Sequence, residues 1–147
     1  MSYEGGFHLI QGDADTAMLP LPISGTAYTK GDCLELVDGI ATWAAVTSSS
    51  NARTRKAVVQ ETVTSSATEV KAILVTPSQV WVMESANNSA SADRGDRMAF
   101  TDGNTVNNSG SDQTGATGCF QQLTESGAAA DKRIVGQFCG LYGNATV

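Results

Sequence analysis

Residues 30–39 read KGDCLELVDG and residues 94–103 read RGDRMAFTDG, so one ten-residue pattern occurs twice in the chain. Each copy opens with a basic residue and Gly-Asp, carries two apolar residues two positions apart, and closes with Asp-Gly. Gly-Asp and Asp-Gly favour turns, and alternate apolar residues lie on one face of a strand. Each copy is therefore predicted to be a strand bounded by turns. We interpret the match as a structural echo and make no claim of duplication; a chance match of common turn pairs is the alternative.

Working outward from these copies, the other apolar runs extend the pattern to about eight short strands. They cover residues 31–37, 40–46, 57–63, 72–76, 79–84, 95–101, 119–123 and 133–139. Turn residues recur between the runs, as in a small barrel or a sandwich. Residues 66–71 and 125–132 each allow one helical turn, but neither shows a sustained helical period. The sequence therefore predicts an all-β fold, a small β-barrel or β-sandwich, as a single domain over residues 25–147.

Residues 1–24 differ from the rest and are predicted to form an extended N-terminal arm. Pro20 and Pro22 disfavour helix there. The arm is too apolar for a solvated linker, so it should lie on the chain's own barrel or on a neighbouring subunit. If it attaches the protein to a partner, removal of residues 2–22 should leave a folded domain that no longer binds. The candidate partner contacts in the arm are Phe7, Leu9, Ile10, Leu19 and Leu21.

The net charge of −6 and the isoelectric point near 4.5 argue against nucleic-acid binding, which needs a basic face. The one basic cluster is the run from Arg53 to Lys56. On an acidic chain it could dock on a carboxylate-rich partner, and a solvated loop is the alternative. Arg53, Arg55 and Lys56 are therefore further candidate partner contacts.

Patterns typical of catalysis are absent from the sequence. The single histidine, His8, lies in the arm, and there is no Gly-x-Ser-x-Gly, His-Glu-x-x-His or zinc-spaced Cys/His set. The glycine-rich residues 110–118 lack the Lys-Ser/Thr of a phosphate-binding loop. We therefore predict no enzymatic activity, no catalytic residue, no metal site and no cofactor.

The three cysteines, Cys33, Cys119 and Cys139, form an odd set without a CxxC pair. Such cysteines are predicted to be reduced, structural thiols that pack as small apolar groups. The chain opens without the basic and apolar regions of a signal peptide, and no apolar run reaches the roughly 18–20 residues of a membrane span. Synthesis in the cytoplasm and no contact with a membrane are therefore expected.

The arm, the two Gly-Asp openers and the closing segment IVGQF at 134–138 together resemble the capsid decoration, or head cement, proteins of tailed bacteriophages. The resemblance spans about residues 25–140. It implies a compact, β-tulip-like domain on the capsid exterior, made in the host cytoplasm. It also implies homotrimers at three-fold or quasi-three-fold positions that bind the major capsid protein and cement neighbouring subunits against internal pressure. Many weak contacts on such a lattice would add through avidity.

Two other classes stay open. Another β-rich virion component, such as a tail, fibre or connector protein, would differ from a decoration protein in copy number and location. A small trimeric β-barrel enzyme, such as a nucleotide hydrolase, would turn over nucleotides. We find no Gly-x-Asp-x-x-Tyr type of setting that would favour the enzyme.

Overall fold

The computed structural model describes residues 5–12, 18–37, 39–109 and 115–140, which form twelve strands and two turns of 3-10 helix. The first six strands are β1 (Phe7–Gln11), β2 (Met18–Pro22), β3 (Cys33–Leu36), β4 (Ala44–Ala45), β5 (Arg55–Val59) and β6 (Glu69–Leu74). The others are β7 (Val80–Ser85), β8 (Arg97–Met98), β9 (Phe100–Asp102), β10 (Thr105–Val106), β11 (Phe120–Glu125) and β12 (Arg133–Phe138). The 3-10 turns are Ser91–Asp93 and Ala129–Asp131. The fold is all-β, as the sequence predicted.

Five strands form a nearly closed barrel in the order β2-β6-β5-β3-β4. Each strand pairs with its neighbour in antiparallel fashion. The two outer strands meet just beyond their ends, where Ile23 forms a bridge with Trp43. The Trp43 N–H also donates to the carbonyl oxygen of Pro22 at 2.9 Å. Because this contact joins the two edges, the five-stranded sheet curls back on itself.

The other seven strands form a second sheet, in which β7 is the central strand. Its main path runs β8-β11-β12-β7-β10-β9. One edge of β7 pairs with β12. The other edge is shared, because β1 pairs with residues 80–83 of β7 and β10 pairs in parallel with residues 84–85.

Alternation along the barrel strands builds two apolar cores. On β3 and β5, Leu34 and Ala57 point into the barrel, whereas Cys33 and Val58 join the second sheet's core. The barrel core comprises Leu21, Ile23, Tyr28, Leu34, Trp43, Ala57, Val59, Val70 and Ala72. The other core is aromatic, with the rings of Phe7, Phe100, Phe120, Phe138 and Trp81 at its centre. The barrel thus packs its outer face on the seven-stranded sheet.

The two copies of the repeated pattern lie in different sheets. The first copy is β3, which pairs in antiparallel fashion with the next strand, β4. The second copy is divided into β8 and β9, which pair with β11 and β10 respectively. Glycines 31, 39 and 95 take positive φ, as turns require. The copies also touch, because the Cys33 N–H donates to the Gly103 carbonyl oxygen at 2.6 Å.

The arm supplies one strand to each sheet. β1 pairs with β7, and β2 pairs with β6 along its whole length. Of the two alternatives for the arm, its own domain or a neighbouring subunit, residues 7–11 and 18–23 therefore pack on their own domain. Residues 1–4 and 13–17 of the arm lie outside the described residues.

Of the two segments that allowed a helical turn, residues 66–71 form none, because β6 begins at Glu69 and pairs on both sides with β2 and β5. Residues 125–132 contain the 3-10 turn Ala129–Asp131. The short strand β10 was not among the strands predicted from the apolar runs.

Candidate docking groove

An open groove of about 760 Å³ lies at the end of the barrel where β3 ends and β5 begins. It is lined by Leu36, Val37, Gly39, Ile40, Asn51, Arg53, Thr54 and Arg55. Val37 is 44% exposed and Ile40 is 54% exposed, values that are high for large apolar side chains. The groove therefore combines accessible apolar surface with two exposed arginines. A smaller cavity of about 210 Å³ adjoins it at Asn51, Arg53, Gly115 and Ala116.

Strand pairing explains how the apolar and basic walls come together. β3 and β5 are antiparallel, and Leu36 lies opposite Arg55 in the register. The residues that follow β3 therefore lie beside the residues that precede β5. The first group provides Val37 and Ile40, and the second provides Arg53.

A buried polar cluster lies beneath the arginine side of the groove. Lys56 is only 1% exposed and stands opposite Glu35 in the β3–β5 pair. Its ammonium group donates to the carbonyl oxygens of Asn51 at 2.6 Å and Thr54 at 2.9 Å, and to the Thr54 hydroxyl. That hydroxyl lies 2.9 Å from Glu35 Oε1, and the Ser50 hydroxyl donates to Glu35 Oε2. The Lys56 ammonium group and the Glu35 carboxylate are thus linked through the Thr54 hydroxyl.

The electrostatics of this cluster are governed by burial. Burial lowers the pKa of Lys56, while nearby Cys119, Cys33 and Glu35 act in the opposite direction. Burial raises the pKa of Cys119 to about 12 and that of Cys33 well above its usual range. Both thiols are therefore protonated at neutral pH and are poor nucleophiles.

The cluster fixes the loop that carries the arginines. The Arg53 N–H donates to Asn51 Oδ1 at 2.8 Å, and the Thr54 N–H donates to the Asn51 carbonyl oxygen at 3.3 Å. The neighbouring Ala52 is fully buried, and its N–H donates to the Ala116 carbonyl oxygen at 2.6 Å. These bonds favour one conformation of the loop without a partner.

The structure divides the eight predicted contact residues into two groups. Phe7, Leu21 and Lys56 are buried inside the chain and present no surface to a partner. Lys56 instead holds the loop, because its ammonium group is turned toward loop carbonyls.

The other five predicted contact residues keep some surface. Leu9 is half-buried, and Ile10 and Leu19 are exposed on β1 and β2. Arg53 and Arg55 lie together on the groove. Sequence reasoning missed Val37 and Ile40, although two apolar residues flanking Asp-Gly in a turn were a usable signal.

The remaining sequence motifs have structural roles. Arg94 of the Arg-Gly-Asp tripeptide pairs with Glu125 through two hydrogen bonds of 2.7 and 2.8 Å. The Gly95 carbonyl oxygen accepts from the Gln121 amide at 2.9 Å. The tripeptide is therefore a turn held against β11, as the sequence indicated.

The cysteines are thiols, as predicted: Cys33 and Cys119 are buried, Cys139 is half-buried, and none forms a disulfide. Within residues 5–12, 18–37, 39–109 and 115–140, no three His, Cys, Asp or Glu side chains are grouped as metal ligands. In the same ranges no helix is long and apolar enough to cross a membrane. Comparison with protein-family models, curated proteins and solved structures gave no match.

Proposed function

We propose that this chain is a structural binding protein that decorates the outer surface of a tailed-phage capsid. It acts there as a homotrimer that contacts the major capsid protein and bridges neighbouring subunits. The observation that carries the proposal is the groove, where accessible apolar surface adjoins two arginines on a fixed loop. Such a surface suits protein recognition, because apolar contact supplies affinity and the charges set orientation.

The sequence supports the part of the proposal that concerns attachment to a capsid lattice. The Gly-Asp openers and the closing 134–138 segment resemble decoration proteins, for which a compact β domain is expected. A barrel packed on a second sheet, with an apolar core in each, is a compact β domain of that kind. A domain that is folded before it binds loses less freedom on binding than a disordered chain, so even a modest interface can hold when it is repeated over a shell.

The direct test is electron cryomicroscopy of particles of the virus that encodes the chain, assembled with and without it. We expect added density at three-fold or quasi-three-fold positions on the capsid and lower heat resistance of the bare particles. Mass measurement of the released protein should give three times 15.2 kDa.

Other outcomes decide against the proposal. Density confined to a tail, a fibre or a single vertex would make the protein another virion component. Turnover of nucleotides by the purified chain, with no copies in the particles, would make it an enzyme.

A further inference from the structure

We propose that the groove receives an extended segment of a partner protein in which carboxylates flank apolar side chains. This deepens the proposed function, on which it rests for the identity of the partner as a capsid protein. The occupant's chemistry follows from the walls of the groove and from the cluster beneath it.

Charge complementarity selects an acidic occupant. The chain carries a net charge of −6, yet the charged side chains that line the groove in the described residues are Arg53 and Arg55. Both are exposed, and they stand two residues apart in the chain at the start of β5. A guanidinium forms paired hydrogen bonds with a carboxylate, which fixes the orientation of the bound segment.

The apolar wall excludes a purely ionic ligand. Leu36, Val37 and Ile40 line the same groove as the arginines, and Leu36 pairs directly with Arg55 on the neighbouring strand. A free anion or a phosphate chain would leave this surface in water and gain nothing from it. A peptide with alternating apolar and acidic residues covers the wall with one set of side chains and reaches the arginines with the other.

The buried cluster is an independent sign that the loop's shape matters. Burying the charges of Lys56 and Glu35 costs desolvation free energy. Charged groups in place of apolar ones inside a domain are expected near functional sites. Here the lysine and the glutamate bond to Ser50, Asn51 and Thr54, which are the loop itself. The arginines are thereby held in place before binding, which reduces the entropy lost when the occupant docks.

The test uses fluorescence anisotropy with the full chain and a labelled peptide that alternates leucine with glutamate. Its matched control is the same peptide with glutamine for every glutamate. We expect saturable binding of the acidic peptide and about tenfold weaker binding of the glutamine peptide, as two exposed ion pairs would give. The double variant R53Q/R55Q should bind both peptides alike, at the weaker level.

A matched control variant is K30Q/K71Q, which removes the same charge elsewhere. Lys30 and Lys71 contact residues 60–62 by their backbones, at the opposite end of β5 from Arg55. This variant should bind as the unmodified chain does. The apolar wall is tested by Ile40→Ser, which should weaken binding of both peptides without unfolding the protein, because Ile40 is exposed.

Several results would overturn the inference. One is the absence of saturable binding up to about 1 mM peptide. Another is a loss of affinity for the acidic peptide in K30Q/K71Q that equals the loss in R53Q/R55Q. The third is binding of the acidic peptide by R53Q/R55Q as tight as that by the unmodified chain. Dissociation of a self-assembled form by R53Q/R55Q, without peptide binding, would assign the groove to a second copy. Displacement of the peptide by polyphosphate but not by excess unlabelled peptide would assign it to a phosphate ligand. All these assays are independent of particles, so the decoration proposal can fail while this one stands, and the reverse.

Discussion

At the residue scale, Gly31 in the first copy of the repeat anchors the N-terminal strand. It has a φ of +100°, and a side chain on Gly6 would come within 2.7 Å of its carbonyl oxygen. That oxygen accepts a hydrogen bond from the Phe7 N–H at 2.8 Å. The Gly-Asp opener thus does more than turn the chain, because it also allows two backbone segments to approach closely.

We predict that Gly31→Ala destabilises the fold more than Gly39→Ala. Both glycines have positive φ, which costs an alanine about 1–2 kcal/mol. A side chain at Gly39 meets open space, whereas one at Gly31 would press on Gly5, Gly6 and the Phe7 nitrogen. Urea unfolding followed by tryptophan fluorescence measures the difference. Equal losses in the two variants would show that the contact with β1 is unimportant.

We also predict a loss of stability in alkali that arises from the buried thiols. The pKa of Cys119 is raised to about 12 from an ordinary value of 9.0, and that of Cys33 is also raised, because both are buried. The folded chain therefore keeps these protons while the unfolded chain releases them above pH 9. Stability present below pH 9 is lost as the pH rises, by about 1 kcal/mol for Cys119 between pH 9 and pH 10, and Cys33 acts in the same direction.

The measurement is the free energy of unfolding as a function of pH for the chain and for C33A/C119A. Alanine at both positions lowers the stability at every pH through lost packing. Its slope between pH 9 and pH 10 should nevertheless be flatter than that of the unmodified chain. Parallel slopes would mean that these thiols ionise as easily in the folded state as in the unfolded state.

At the scale of elements, the prolines of β2 sit where a strand can tolerate them. The Ile23 N–H donates to the Thr68 carbonyl oxygen at 3.0 Å, on the β6 side. Successive residues of a strand direct their backbone groups to opposite sides, so the backbone nitrogens of Pro20 and Pro22 point away from β6. On that side the Pro22 carbonyl oxygen accepts a hydrogen bond from the Trp43 N–H. The absence of an N–H group at each proline therefore removes no hydrogen bond between β2 and β6. It also leaves few hydrogen-bond donors on the edge of β2 that faces away from β6.

We predict that P20T/P22T increases self-association while leaving the fold intact. Threonine restores two N–H donors on the edge of β2 that faces away from β6, and Met18 and Leu19 of the same strand are already exposed. Light scattering at several protein concentrations measures the effect. Pro77→Thr, in the exposed turn between β6 and β7, is the matched control and should leave the scattering unchanged. Unchanged scattering in P20T/P22T would show that the prolines do not protect this edge.

The sequence was sufficient for strands with clear alternation and insufficient for those defined by distant partners. The local pattern predicts β3, β5, β7 and β12, because each of them coincides with an apolar run in the sequence. β2 is a strand because β6 accepts it as a partner, and its two prolines argued only for an extended arm. The groove shows the same division. Arg53 and Arg55 were visible as a charge cluster, but their position beside Val37 depends on the β3–β5 register.

At the scale of the whole molecule, the N-terminal segment holds the two sheets together. β1 places Phe7 among the aromatic rings of the second core, at centroid distances of 5.1 to 5.9 Å. β2 places Leu21 in the barrel core and is one of the two strands that close it. A segment that contributes to both cores cannot be removed without opening both.

We therefore predict that deletion of residues 2–22 abolishes cooperative unfolding, in contrast to the folded remnant that the sequence suggested. Loss of Phe7 alone should cost on the order of 3–5 kcal/mol, a large part of a small domain's stability. Thermal unfolding by circular dichroism measures this. Because an unfolded chain also fails to bind, attachment is tested separately by I10S/L19S, whose side chains are exposed. That variant should melt like the unmodified chain, so weaker decoration of particles by it would assign attachment to the arm's surface. A sharp thermal transition in the deleted chain would show instead that the barrel closes without β2.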